Sequence, residues 1–223
     1  AEVNKWLEAI DLELSAIENL DVWTPYNGPE PSNPLKTTWI FRIKENCHGD
    51  PLKFKARLCV QGFSQIHGLD FNETFAPTGK PSTLRLLLLY SLKMKLPIRQ
   101  FDVKGAFLHS PIKEEVIIFT PKGSNQKSKY LKLNKSLYGL KQAPKNWYET
   151  LIKWFQEIGF RKSACDSCLY HSDDKTSILF FHVDDLVLVG NGNNFESKFL
   201  SKFKGSTAQS PNTILGMKIE ISD

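Results

Sequence analysis

The chain has 223 residues, of which 41% are hydrophobic and 24% charged, and its formal charge is +5. These values are ordinary for a soluble globular protein and allow one domain or two small lobes. They exclude a helical membrane protein, since no apolar run reaches ~20 residues, and so mild a charge establishes a polyanionic partner only if it is clustered. The acidic, amphipathic start argues against a secretory leader, and a chain opening on Ala1 is expected to be excised from something longer.

Trp6, Leu7, Ile10, Leu14, Ile17 and Leu20 recur mostly at three- and four-residue steps. This predicts an N-terminal helix with Glu8, Asp11, Glu13 and Glu18 mostly on its polar side. Pro25 to Pro34 reads as a loop. Thr37 to Lys44 and Leu52 to Gln61 read as the strands of a hairpin that turns at 46–51. In the second strand Leu52, Phe54, Ala56, Leu58 and Val60 share one face, and Lys53, Lys55, Arg57, Cys59 and Gln61 the other, which Arg42 and Lys44 extend. Such a basic ribbon can meet phosphates, Arg as a bidentate donor and Lys as a point charge. Taken alone, a basic strand face is more simply solvated surface.

Ser82 is placed to cap a leucine-dense, buried helix from Thr83 to Lys95, ended by Pro97. Glu115 to Thr120 and Tyr130 to Leu133 read as strands around a Gly/Ser/Lys loop. Pro144 can open a helix carrying Trp147, Leu151, Trp154, Phe155 and Ile158, which Gly159 closes. An apolar hairpin over Ser177–Gly190 follows, then a helix with Phe195, Phe199 and Phe203, and a final strand from Thr213 to Ile221. This order of elements predicts an α+β antiparallel architecture. Cys47, Cys59, Cys165 and Cys168 make no disulfide framework in a chain of this size. Cys165 and Cys168 have the spacing of half a zinc site or a redox pair, which Cys47-His48 could complete. Reduced, unligated thiols are the expectation.

The most telling stretch is Ser177-Ile178-Leu179-Phe180-Phe181-His182-Val183-Asp184-Asp185-Leu186-Val187-Leu188-Val189-Gly190. Two adjacent acids sit between apolar runs of strand length, at the tip of a tight turn. An isolated Asp-Asp is most simply a solvated turn. At the end of a buried ribbon, however, the two carboxylates repel and lose water, a cost that a divalent cation with hard oxygen ligands removes. A second segment, Ile98 to Leu108, also puts an acid, Asp102, at the end of a strand-like run. Two such strands can bring their carboxylates to one point, as two-metal phosphoryl transfer requires. Spacing alone does not distinguish this from two unrelated strand ends.

These residues resemble a family. Lys55-Ala56-Arg57-Leu58 with Gly62-Phe63, Thr74-Phe75-Ala76-Pro77, and Gln100 to Leu108 are followed by Leu137-Tyr138-Gly139-Leu140-Lys141-Gln142-Ala143-Pro144 with Trp147, Val183-Asp184-Asp185, and Leu215-Gly216-Met217. In this order they resemble the reverse transcriptase domain of copia-type (Pseudoviridae) retrotransposon polyproteins, over nearly the whole chain. The resemblance implies a right-hand polymerase with fingers and palm, the antiparallel palm sheet flanked by helices. It divides the chain into fingers and start of palm (1–96), palm (97–110), a fingers return segment (111–143) and palm with the primer-grip hairpin (144–223). A thumb and a ribonuclease H domain would be absent.

Asp102, Asp184 and Asp185 match the catalytic carboxylates. Asp102 and Asp184 are implied to hold magnesium, or manganese in its place, with Asp185 less direct and the Val103 carbonyl an added ligand. Arg57, and more weakly Lys55, match the fingers residues near the incoming nucleotide. Tyr138 and Gly139 match the segment bordering it, and Phe107 the ring beneath its sugar. Leu215, Gly216 and Met217 match the primer grip. The implied partners are an RNA or DNA template, a primer strand and deoxynucleoside triphosphates, with no membrane, in an intracellular setting such as a cytoplasmic particle or the nucleus. Three departures stand out: His182 where relatives carry an aromatic such as tyrosine, Gly105 where they more often carry threonine, and an unfamiliar polar stretch from Gly205 to Asn212. Two alternatives remain at this point: a non-catalytic or domesticated nucleic-acid-binding remnant, and another two-metal nucleotidyl transferase or nuclease.

Overall fold

The computed structural model describes residues 2–45, 50–192, 194–209, 213–215 and 217–219. Cys47, His48, Gly216 and most of the turn expected at 46–51 lie outside them. In chain order the elements are α1 (Glu2–Asn19), β1 (Trp23–Pro25), β2 (Thr37–Glu45), β3 (Pro51–Val60), α2 (Pro81–Met94), β4 (Ile98–Asp102), β5 (Ile117–Phe119) and β6 (Tyr130–Leu133). There follow α3 (Ala143–Glu157), β7 (Phe160–Lys162), β8 (Leu169–Ser172), β9 (Ser177–His182), β10 (Asp185–Gly190), α4 (Phe195–Lys202), β11 (Thr207–Gln209), β12 (Thr213–Ile214) and β13 (Met217–Lys218). All pairings between these strands are antiparallel, so the mixed α and β content and the antiparallel sheets match the expected class. The chain divides into two compact units, residues 1–75 with 107–147, and 76–106 with 148–223.

In the first unit β2 and β3 form a two-stranded ribbon, and β1, β6 and β5 a three-stranded sheet. Helix α1 lies against β3, with the Trp6 ring edge-on to Phe41 and Phe54 at 5.1 and 4.6 Å. Leu14 and Ile17 of α1 join Val22, Leu35, Leu58, Val60, Leu131 and Leu137 in one buried cluster. Leu7 belongs to the apolar stripe by spacing but is exposed, because the ribbon reaches only part of the helix.

The second unit is built on a six-stranded sheet in the order β11-β4-β10-β9-β8-β7. Side chains alternate across it. One face presents Phe101, Leu179 and Phe181 to an aromatic cluster with Trp154 and Phe155 of α3 and Phe195 and Phe199 of α4. The other face packs Phe180, Val187 and Val189 against Leu84 and Leu87 of α2 and Ile214 of β12.

Several expectations are corrected. Ser82 is not the cap of α2: the helix opens on Pro81, whose missing N–H needs no partner, and Lys80 stands at the cap without a side-chain bond. Instead the Asp166 carboxylate accepts from the Lys80 N–H at 3.1 Å and the Thr83 hydroxyl at 2.7 Å. Only one stripe of α2 is buried; Leu86, Leu89 and Leu92 are exposed, since one face alone meets the sheet. The expected final strand is a hairpin, β12 with β13, which pairs Ile214 with Met217. Strands β1, β7, β8 and β11 were not expected at all.

Candidate active site

The sheet of the second unit aligns the acids. Asp102, the last residue of β4, lies directly across from Asp185, the first residue of β10. Asp185 in turn faces His182 at the end of β9, and Thr207 of β11 faces Asp102 on the other side. Paired residues in an antiparallel sheet share a face. Thr207, Asp102, Asp185 and His182 therefore form one row at the end of the sheet. Asp184 sits in the two-residue turn between β9 and β10, and its carbonyl accepts the Val103 N–H at 3.1 Å, joining that turn to the end of β4. The two strand ends singled out in the sequence meet here.

The turn is under strain. Val183 has φ +58°, a left-handed conformation that a β-branched residue rarely takes and that glycine normally supplies in such hairpins. Strain of this kind costs on the order of 1–3 kcal/mol and clusters at functional sites. After Asp102 the backbone also enters the left-handed region, at Gly105 with φ +67°, which accounts for glycine there. His182 is held by its Nδ1, 3.1 Å from the Gly79 carbonyl; since a carbonyl only accepts, this nitrogen carries the proton.

Burial pushes the Asp185 carboxyl above its ordinary pKa, and the nearby Asp184 and Asp102 charges push it further. The sign follows: the folded chain keeps this proton to higher pH than the unfolded chain. Its stabilising contribution is therefore present at low pH and is lost as pH rises through the folded value. In chelator, Asp185→Asn is expected to melt about 2 °C above the parent at neutral pH, the gap closing toward about pH 4. Thermal melts across that range check this, and equal melting temperatures at every pH would remove the electrostatic account.

In the first unit Tyr138 is the hub. Its carbonyl accepts the Val60 N–H at 2.7 Å, which fixes the 138–139 turn on the end of β3. The Arg57 guanidinium lies 4.8 Å from the centre of the Tyr138 ring, and the Phe107 ring meets the same ring edge-on at 5.2 Å. Arg57 is half-buried, and its Nε is buried without a hydrogen-bond partner among the described residues. Gly139 has φ +88°, and a Cβ there would lie 2.1 Å from the Val60 carbonyl oxygen, so only glycine fits. Lys55 pairs in register with Arg42, and Lys53 with Lys44. Like charges directly across a ribbon are unfavourable without an anion.

Leu215, in the turn between β12 and β13, has φ +49°, and Met217 opens β13; Gly216 lies outside the described residues. Among the described residues Cys59, Cys165 and Cys168 form no disulfide. Burial pushes the Cys168 thiol up to about 12, so it is not a ready thiolate.

For a metal, the donor type fits: two carboxylates in register, and a third near enough to raise the pKa of Asp185. Among the described residues no three His, Cys, Asp or Glu side chains form a ready-made cage. Two features at this end of the sheet went unrecognised in the sequence. Gln100, two residues before Asp102, faces the same side, a signal readable from the alternation alone. Thr207 lies within the unfamiliar polar stretch, which proves to carry edge strand β11; its remaining residues 210–212 are outside the described set.

Residues 20–221 match the family described as "Reverse transcriptase (RNA-dependent DNA polymerase)". The chain is 34% identical, over 98% of its length, to the Retrovirus-related Pol polyprotein from transposon TNT 1-94 of Nicotiana tabacum. It is 36% identical over 84% to that from transposon RE1 of Arabidopsis thaliana, and 30% identical over 91% to the Transposon Ty1-NL1 Gag-Pol polyprotein of Saccharomyces cerevisiae. It covers 17%, 13% and 12% of those polyproteins. With the motifs in order and the acids brought into register, the chain belongs to the copia-type retrotransposon branch of the reverse transcriptase family.

Proposed function

We propose that the chain is the fingers-and-palm core of an RNA-directed DNA polymerase that extends a primer on an RNA or DNA template. The observation that carries this reading is the register of Asp102 with Asp185, with Asp184 in the turn bonded to Val103. Residues 1–96 are then fingers and the start of the palm, 97–110 and 144–223 palm, and 111–143 a fingers return segment. In this reading the primer 3′-hydroxyl attacks the α-phosphate of a deoxynucleoside triphosphate and pyrophosphate leaves. Asp102 and Asp184 would hold magnesium, or manganese in its place, with the Val103 carbonyl as a further ligand and Asp185 in a supporting role. Bound there, such ions would supply activation of the attacking hydroxyl and charge relief at the leaving oxygen.

Arg57 and Lys55 then meet the triphosphate, while Tyr138, Gly139 and Phe107 border the nucleotide. Leu215, Gly216 and Met217 steady the primer end. In a copia-type parent element this activity is expected in a cytoplasmic particle or the nucleus. Among the described residues no helix is long and apolar enough to cross a membrane. The direct test is magnesium-dependent extension of a primed RNA template, with Asp184→Asn as the control. No extension by a folded parent chain on either RNA or DNA template would overturn the reading.

The same reading separates Arg57 from its lysine neighbours. Arg57→Ala removes a charge-assisted phosphate contact, so the KM for nucleotide is expected to rise about tenfold, with duplex affinity nearly unchanged. Neutralising Lys53 and Lys55 is expected to flatten the salt dependence of template binding instead. Steady-state kinetics and binding across a salt series check both, and an unchanged KM in Arg57→Ala returns this strand to plain surface.

A further inference from the structure

We propose that Gln100 is a positioning residue for the acid row, holding the Asp185 carboxylate and the hairpin formed by β12 and β13 through one side-chain amide; this rests on the polymerase reading above. Gln100 pairs with Val187 and, on its other side, with Gln209, one row behind Asp102 and Asp185 on the same face. It is 4% exposed. Its Nε2 donates to the Thr213 carbonyl at 3.1 Å and reaches Asp185 Oδ1 at 3.5 Å, the outer limit of a hydrogen bond. Both neighbours are acceptors, which fixes the amide with its nitrogen toward them.

The surroundings sharpen the point. Beside Gln100 the sheet turns apolar at Val187 and Phe180, against which Ile214 packs. A side chain buried there gains packing without needing a polar end. An amide adds a desolvation cost, and the Gln100 Oε1 has no partner among the described residues. Packing alone therefore does not account for glutamine at this position. What the amide adds is one donor shared between an acid of the row and the backbone of the hairpin. Partners of this outer kind orient carboxylates for a metal, and their loss typically lowers metal affinity 10–100-fold.

The test uses the whole chain without nucleic acid or nucleotide. Manganese binding is titrated by electron paramagnetic resonance, and backbone hydrogen exchange is followed at Thr213 to Leu215. Gln100→Met keeps the length and removes the donor. It is expected to weaken manganese binding about tenfold and to speed exchange in the hairpin about tenfold. In an Asp185→Asn background the manganese effect should shrink to less than about twofold, because the carboxylate that the amide orients is gone, while the exchange effect persists. Gln100→Asn keeps an amide one methylene short of both acceptors and should show the same losses, so a poorly folded methionine variant does not blunt the test. Unchanged affinity and exchange in the folded variants would overturn the proposal. So would an undiminished manganese effect in the Asp185→Asn background. If the parent takes up no manganese, the metal reading fails by itself and the exchange result alone decides whether Gln100 ties the hairpin.

Discussion

Primer extension by Asp102→Asn and by Asp184→Asn is expected to fall by about a thousandfold or more, with both variants folded. The size follows from the charge involved. Polarisation of a phosphoryl oxygen by a bound metal supplies several kcal/mol of transition-state stabilisation, and each ~1.4 kcal/mol is a factor of ten in rate. Replacing one carboxylate with a neutral amide weakens the hold on that charge. The fold is expected to survive for a local reason: the acid row sits at the end of the sheet, and its charges already repel, as the raised Asp185 carboxyl records. Single-turnover extension on a primed RNA template measures the loss, and thermal melting in chelator checks the fold. Parent-level extension by either folded variant would remove the assignment of these acids.

The acid row was legible because each of its strands announces itself. Ile178 to Phe181 and Leu186 to Val189 are continuous apolar runs, as central strands buried on both faces must be. Helix α1 and the β2–β3 ribbon were equally plain, from their three-to-four and two-residue periods. Short and peripheral strands gave no such signal. Strand β7 is Phe160-Arg161-Lys162 and β8 is Leu169-Tyr170-His171-Ser172, too brief and mixed to show a period. Strand β11 is polar because it is an edge, and it pairs with β4, about a hundred residues earlier, through contacts that no local pattern encodes. The leucines of α2 misled in the other direction, for composition predicts burial but not on how many faces a helix is covered. At the site, residue identity marked the acids. Gln100 carries no charge, and although it opens one of the motifs it has no role assigned there; only the register of β4 with β10 brings it beside Asp185.

Phe107→Val is expected to admit ribonucleotides, lowering sugar discrimination by about a hundredfold, while deoxynucleotide incorporation stays near the parent level. A pocket built of apolar groups rejects an added hydroxyl by about this factor, through clash and through burial of a polar group without a partner. The packing around Phe107 supports the assignment. Its ring is half-buried and set edge-on to Tyr138, whose ring also meets the Arg57 guanidinium. A sugar over Phe107 and a triphosphate toward Arg57 would thus lie along one run of three side chains, held to β3 by the bond from the Val60 N–H to the Tyr138 carbonyl. Phe107 also packs against the buried cluster of its unit, so truncation to alanine would cost about 3 kcal/mol or more if the ring were fully in the core. Valine keeps part of that packing and is the better probe. Incorporation of matched ribo- and deoxynucleotides on one template, by parent and variant, measures the ratio directly. An active, folded Phe107→Val chain that discriminates as well as the parent would return Phe107 to the core and leave the sugar to be read elsewhere.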